Sequence, residues 1–309
     1  MALKDVKSRI ASVKNIQKIT RAMEMVAAAR LRRAEQRIEA LRPYASAIRR
    51  MTRQAAEAAQ NVPNLPILQE HDNVNTVGML LVTGDRGLAG AFNSQIVRAG
   101  IRAADDVGGA DVQWFASGRR GVSSLVFRGR DVLGEYTGFT DRPAYANARE
   151  IASDLMAAYV DGKVDQVDIF YNRYISPLSQ EVTRETLLPL QDATILEGGG
   201  DDDEDSLGGR AGGDDEEAKS DGPHALVEYE PGPEDILQRL VPAYVEISIY
   251  RALLESTASE HGARMTAMRN ASENATDLIK DLTLQMNRER QAEITQEIME
   301  VVAGAESLT

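Results

Sequence analysis

Ala27-Ala28-Ala29-Arg30-Leu31-Arg32-Arg33-Ala34-Glu35-Gln36-Arg37-Ile38-Glu39-Ala40-Leu41, continued through Ala45 to Ile48, carries its apolar residues in alternating steps of four and three. Ala27, Leu31, Ala34, Ile38, Leu41, Ala45 and Ile48 form that series, and Val6, Ile10 and Val13 start the same step earlier. A stripe of period 3.5 is the seam of a coiled coil. No Gly precedes Gly78, and the first Pro is Pro43, so residues 4–42 contain no helix breaker. Ala, Arg, Lys, Glu, Met and Leu dominate them, all good helix formers. Pro43 should kink or break the helix, and the pattern fades near Ala59, before Pro63 and Pro66. Fifty-odd helical residues span about 80 Å.

The other end of the chain mirrors the first. Between Ala243 and Ala303 there is no Pro and a single Gly, Gly262. Ala275, Ile279, Leu282 and Met286 step four, three, four, and so do Ile294, Ile298, Val301 and Ala305. Arg290 falls between them where the seam should be apolar. Upstream the seam is small (Ser256, Ser259, Ala263, Ala267), which would let two backbones approach closely. A lone polar helix of this length is marginal, because packing supplies most helical stability. The ends also differ in charge. Residues 1–53 hold fourteen Lys or Arg against four acids, and residues 234–309 hold thirteen acids against seven bases. Two such helices should pair, and a compact middle that joins their inner ends makes the pairing antiparallel.

The middle reads as strand–helix–strand alternation, a small sheet with crossovers. Strands are expected at 77–82, 112–116, 167–171 and 181–188, with a further one at Leu226-Val227-Glu228-Tyr229. Helices are expected at 93–107 and 143–160, the latter with Pro143 in its first turn. The fold class is therefore α/β: a long antiparallel coiled coil of the terminal helices with a small Rossmann-like domain inserted between them. The boundaries read as 1–60, 74–232 and 233–309. An acidic loop at about 197–223, with ten acids against Arg210 and Lys219 in residues 201–221, is expected to be disordered.

Composition excludes several chemistries. Of 309 residues none is Cys, which removes disulfides, thiolate zinc sites, iron–sulfur clusters and cysteine nucleophiles. Three histidines far apart (His71, His224, His261) do not make a metal site. No stretch approaches eighteen consecutive apolar residues, so no membrane insertion is expected. Thr83-Gly84-Asp85-Arg86-Gly87-Leu88-Ala89-Gly90 sits between a strand and a helix, where phosphate loops occur. Its spacing is not the dinucleotide fingerprint, and no Walker A is present, so it reads as a tight polar turn with no cofactor. The basic N-terminal helix lacks the dense basic block and interleaved aromatics of a nucleic-acid arm. It also lacks the Trp or Phe of a membrane-surface helix.

The run from Arg9 to Ala28, with Asn15-Ile16-Gln17-Lys18-Ile19-Thr20-Arg21-Ala22-Met23-Glu24, resembles the opening of the ATP synthase gamma subunit family. Arg290-Gln291-Ala292-Glu293-Ile294-Thr295-Gln296-Glu297-Ile298 through Ala305 resembles that family's C-terminal signature. Asp85 to Gly90 with Phe92-Asn93 matches its middle-domain turn, and Tyr229-Glu230-Pro231 its last strand. Three departures stand out: Ala89 where many members have Cys, Ile16 where Thr is usual, and the long acidic tract. With no transit-like leader, a bacterial chain is expected.

The resemblance implies a non-catalytic shaft inside a ring of three alpha and three beta subunits, with the α/β domain as a foot against the epsilon subunit and the c-ring of Fo. It implies a place on the cytoplasmic face of the cell membrane, as a peripheral part of F1 coupling proton flow to ATP synthesis. By motif, Arg290 and Gln291 match a pair meeting an acidic loop of beta, assisted by Thr295. Met23, near Lys18 and Arg21, matches the position facing the beta lever. Ile298, Val301, Val302, Ala305 and Leu308 would turn in an apolar sleeve, and Tyr229 and Glu230 would lie at the foot.

Overall fold

The computed structural model describes residues 3–58, 66–69, 71, 73–190 and 232–306. Two helices dominate it, α1 (Leu3–Ala58) and α5 (Pro233–Glu306). They pair antiparallel, because Gln17 near the start of α1 donates from Nε2 to Thr276 Oγ1 near the far end of α5, at 2.7 Å. The seam of α1 runs without interruption through positions 6, 10, 13, 17, 20, 24, 27, 31, 34, 38, 41, 45, 48, 52 and 55, none of which is exposed. Its outer end is closed by Val6, Ile10 and Leu282, with Val13 and Met286 against them. Its middle is closed by Leu31 and Ala34 on Ala258. Between these apolar stretches lies a polar layer of Gln17, Thr20 and Glu24, with Thr20 8% exposed.

Both prolines within the long helices are accommodated. α1 continues through Pro43, and α5 starts at Pro233, the boundary read from the sequence, and continues through Pro242. The helix around Pro242 is buried at Leu237, Val241 and Val245, so packing outweighs the lost backbone hydrogen bond.

The inserted domain is a five-stranded sheet of order β3-β2-β1-β4-β5. β1 (Thr76–Val82), β2 (Asp111–Ser117), β3 (Val132–Tyr136) and β4 (Gln166–Ser176) are parallel, and β5 (Ser179–Leu188) is antiparallel to β4. α2 (Phe92–Asp106), α3 (Arg119–Phe127) and α4 (Tyr145–Val160) make the crossovers. Leu80, Val82, Ile169 and Tyr171 face α4 and the first part of α5. Met79, Leu81, Trp114 and Phe170 face α2. Both faces are covered, which is why β1 reads as a continuous apolar run.

Three details depart from the sequence reading. α3 and β3 were not expected: α3 has nine residues and buries only Gly121 and Leu125, and β3 is an edge strand containing Gly134. Pro143 lies before the N-cap of α4, which is Ala144, and Asn147 Oδ1 accepts the Ala144 N–H at 3.0 Å. The small residues of α5 face the sheet domain rather than α1. Ser256 Oγ donates to Val82 O at 3.3 Å, Ser259 Oγ donates to Asn172 O at 3.0 Å, and Ala263 packs with the α2 core. At this level α5 meets α1 through Ala258, with Met265 packed against the same cluster. The expected strand at 226–229 and the acidic loop lie outside the described residues.

Candidate functional site

All seven residues from Ser256 to Gly262 are buried. A helix covered on every side sits inside the protein, and this stretch of α5 lies across the carboxyl ends of β1 and β4. That is the point where the sheet's crossovers change direction, the place where open α/β sheets receive ligands. Here α5 fills it. A Cβ on Gly84 would meet the Glu260 carboxylate at 2.6 Å, so the first turn of the Gly84–Gly90 loop touches a side chain where a phosphate would otherwise lie. Gly118 approaches just as closely: its φ is +92°, and a Cβ there would meet Thr83 O at 2.2 Å.

The polar groups of Thr83, Gly84 and Asp85 are satisfied within the protein. Thr83 Oγ1 donates to Ser117 O at 2.7 Å and accepts the Gly121 N–H at 2.8 Å. Asn93 Oδ1 accepts the Gly84 N–H at 2.8 Å. Asp85 accepts the N–H groups of Arg119, Gly138 and Thr140 and the Thr140 hydroxyl, at 2.9 to 3.2 Å. Burial works against its charge, but these donors prevail and hold the carboxyl below its ordinary value. The first three N–H groups of α3 are thus taken within the protein, Arg119 by the Asp85 carboxylate, Arg120 by Gly84 O and Gly121 by Thr83 Oγ1, and are not open to an anion. The tight-turn reading of this segment describes what these bonds do.

On the α5 side, Arg264 pairs with Glu260 at 2.5 Å and donates to Gly87 O at 3.3 Å. Its Nη1 also lies 3.3 Å from His261 Nδ1. Arginine only donates, so Nδ1 accepts and the neutral ring carries its proton on Nε2. Nε2 faces Asp141 Oδ1 at 3.8 Å. Burial, with Arg264 and Arg30 nearby, pushes the imidazole down to about 4 against the pull of Asp141, so His261 is neutral at pH 7. Asp141 Oδ2 is paired with Arg30 of α1. Sequence reading missed this cluster because it lies on a helix whose apolar period is lost where every face is buried. The one available signal was a run of small and polar residues, Ser256 to Gly262, unsuited to a solvated coiled-coil surface.

The residues proposed from motifs lie elsewhere, at separate levels of the hairpin. Gln17 is opposite Thr276, so in an antiparallel pair Leu3 reaches the level of residue 290. Arg290 lies level with Leu3, at the outer end of the described part of α1, so a charge in the seam's phase falls where the paired stretch of the described hairpin ends. All fourteen residues from Arg290 to Ala303 are exposed, including Ile298, Val301 and Val302 at 57%, 72% and 50%. Thr295 Oγ1 donates to Gln291 O at 2.8 Å within the helix. Met23 is half-buried beside the polar layer, with Lys18 and Arg21 exposed near it. About twenty helical residues, roughly 30 Å, separate the Met23 level from Arg290. Tyr229, Glu230 and Leu308 lie outside the described residues, as do the surroundings of Ala305. No described helix is long and apolar enough to cross a membrane.

Comparison with known proteins agrees with this architecture. The family model described as ATP synthase matches residues 2–308. Among solved structures, the chain is similar to one in the central stalk and c-ring structure of the Tetrahymena thermophila mitochondrial ATP synthase. The identity is 25%, the TM-score 0.59, and the match covers 82% of this chain and 99% of that one. Two chains of the Euglena gracilis mitochondrial ATP synthase, each 18% identical, share the fold. The one in the OSCP/F1/c-ring structure covers 99% of this chain and 94% of its own at a TM-score of 0.64. The one in the rotor structure covers 94% and 98% at 0.60. The chain belongs to the ATP synthase gamma subunit family and is a central-stalk, rotor subunit.

Proposed function

We propose that this chain is the rotary shaft of a proton-driven F1Fo ATP synthase and performs no chemistry itself. The observation that carries the reading is the lopsided hairpin: α5 outreaches α1 by about sixteen residues of lone helix, all exposed where described, with apolar side chains bare. A single helix of that kind needs a surrounding partner. In this reading three alpha and three beta subunits supply the sleeve. Ile298, Val301 and Val302 turn within it through non-directional apolar contacts, which hold little preference for angle. The sheet domain is the foot, seated on the epsilon subunit and the c-ring at the cytoplasmic face of the cell membrane as a peripheral part of F1. Tyr229 and Glu230 belong to that seat.

Arg290 and Gln291, at the level of the outer end of α1, can meet an acidic loop of one beta subunit at a time. The guanidinium suits a carboxylate bidentately. The hydroxyl of Thr295 stands one turn away, and Met23 forms the lower contact on the beta lever. A ligand shifts an equilibrium only through differential contacts. An asymmetric axle provides these, because at any angle each of three surrounding sites meets a different face. The filled crevice at Gly84 supports a chain without a nucleotide of its own.

The test is expression of the tagged chain in its host, identification of its companions, and turnover of the assembled complex with Arg290→Ala and Gln291→Ala. A charge-assisted hydrogen bond is worth about 1.5–3 kcal/mol. Coupled turnover should therefore fall by about 10- to 100-fold with assembly intact. Co-purification without ATPase subunits would overturn the shaft reading, and unchanged turnover would remove the two residues from it.

A further inference from the structure

Arg30 and Glu35 lie five residues apart on α1, about 140° around the helix. Ala34 and Leu31 fall between them, at about 40° and 100° from Arg30, and these two pack on Ala258 of α5. The face by which α1 rests on α5 is thus bracketed by two polar side chains, one on each flank, and each reaches a different part of the foot. Arg30 pairs with Asp141 on the loop after β3. Glu35 Oε1 accepts the Tyr174 hydroxyl, near the end of β4, at 2.5 Å.

Both anchors are fixed on the foot side. Thr140, beside Asp141, is bound to Asp85 through its N–H and hydroxyl, and Thr257 Oγ1 of α5 donates to Thr140 O at 2.9 Å. Arg86 Nη1 approaches Asp141 Oδ2 at 3.8 Å. Tyr174 is paired with Gln180 of β5 in the antiparallel hairpin. α5 needs no such device, since its first half is buried in the foot. Beside the foot, from Ala27 to Ile48, the seam of α1 is of small and branched residues, which resist separation more than rolling.

We propose that Arg30–Asp141 and Glu35–Tyr174 are a two-sided stop that passes turning force from the foot into α1, each tie bearing load in one sense of rotation. If α1 rolls over α5 in one direction, the Arg30 tie is stretched and the Glu35 tie relaxes. Rolling the other way reverses the roles. The inference rests on the rotor reading of the preceding section.

The experiment uses the assembled complex with the catalytic ring fixed to a surface. The chain has no cysteine, so Arg128→Cys on the exposed surface of the foot gives a single attachment point on it for a probe that can be twisted in either direction, the variant chain being labelled before assembly. Asp141→Asn and Arg30→Gln should lower torsional stiffness in one sense only. Tyr174→Phe, which removes a single hydroxyl, and Glu35→Gln should lower it in the opposite sense. Combining Asp141→Asn with Tyr174→Phe should soften both, and Arg30→Lys should restore much of what Arg30→Gln loses. Equal softening in both senses by each variant, or no softening by any, would overturn the two-sided stop. A wild-type probe that does not turn with ATP would instead overturn the rotor reading itself.

Discussion

His261 makes the junction between foot and hairpin sensitive to acid. Its ring is 1% exposed, it accepts a bond from Arg264, and its folded-state value is pushed from 6.5 to about 4. Between those values the unfolded chain binds the proton and the folded chain does not, so stability rises with pH across the window. The contribution is complete above 6.5 and is lost as pH falls towards 4. At 1.36 kcal/mol per unit, the shift corresponds to about 3 kcal/mol. Asp85 titrates below this window, because its carboxyl is held down, and its contribution is lost only in stronger acid. Glu260 works in the opposite sense: burial raises its value, so its protonation favours the fold as pH falls. It is common to wild type and variant, and the difference between the two isolates the histidine. The assay is denaturant unfolding of wild type and His261→Gln between pH 4 and 7.5. It is followed by fluorescence of Trp114, the one tryptophan, buried in β2. Gln retains an acceptor for Arg264 but does not titrate, so the variant's curve should be flatter by about 3 kcal/mol. Parallel curves would refute the assignment.

Other perturbations probe the fold and the filled crevice. Gly84→Ala should destabilise the foot by about 1–3 kcal/mol, since the added methyl meets Glu260 at 2.6 Å. The same substitution combined with Glu260→Ala should recover part of the loss, read by the same Trp114 fluorescence. Leu282→Ala, 8% exposed against Val6 and Ile10, should cost about 2–5 kcal/mol. Because that cluster closes the outer end of the hairpin, hydrogen exchange should accelerate at residues 6–13 and remain unchanged in β1. Replacing Gln17 with Leu and Thr276 with Val together should leave stability nearly unchanged or raise it, since both partners of one bond are removed at once. Thermal unfolding checks this, and a clear loss would show that the polar layer contributes to stability.

The hairpin was legible because period 3.5 is a strong signal when one face alone is buried. Val6, Leu31 and Leu282 each lie on a seam the residues announce. β1 and β4 were legible because both their faces are covered. The limits of reading are equally physical. Pro43 signals a break, yet the seam on either side, buried at Ala34 and Ile48, carries the helix through it. α3 and β3 bury too few residues to leave a pattern. Ser256 and Ser259 have the spacing of a coiled-coil seam, but their hydroxyls bond to strand carbonyls across the sheet. The same contact hid Glu260, His261 and Arg264, whose partners are more than a hundred residues away in sequence for all but the bonds within α5. Arg290 was marked as a charge interrupting a seam, and only the register of the two helices shows that the seam ends there.

Rotation is the most direct measurement of the central claim. In the complex fixed by its catalytic ring, a probe on Arg128→Cys should turn in one direction with added ATP and pause at three angles, as the threefold ring requires. A probe that stays still while ATP is consumed, or turnover that persists after the α5 tip is cross-linked to the ring, would contradict it.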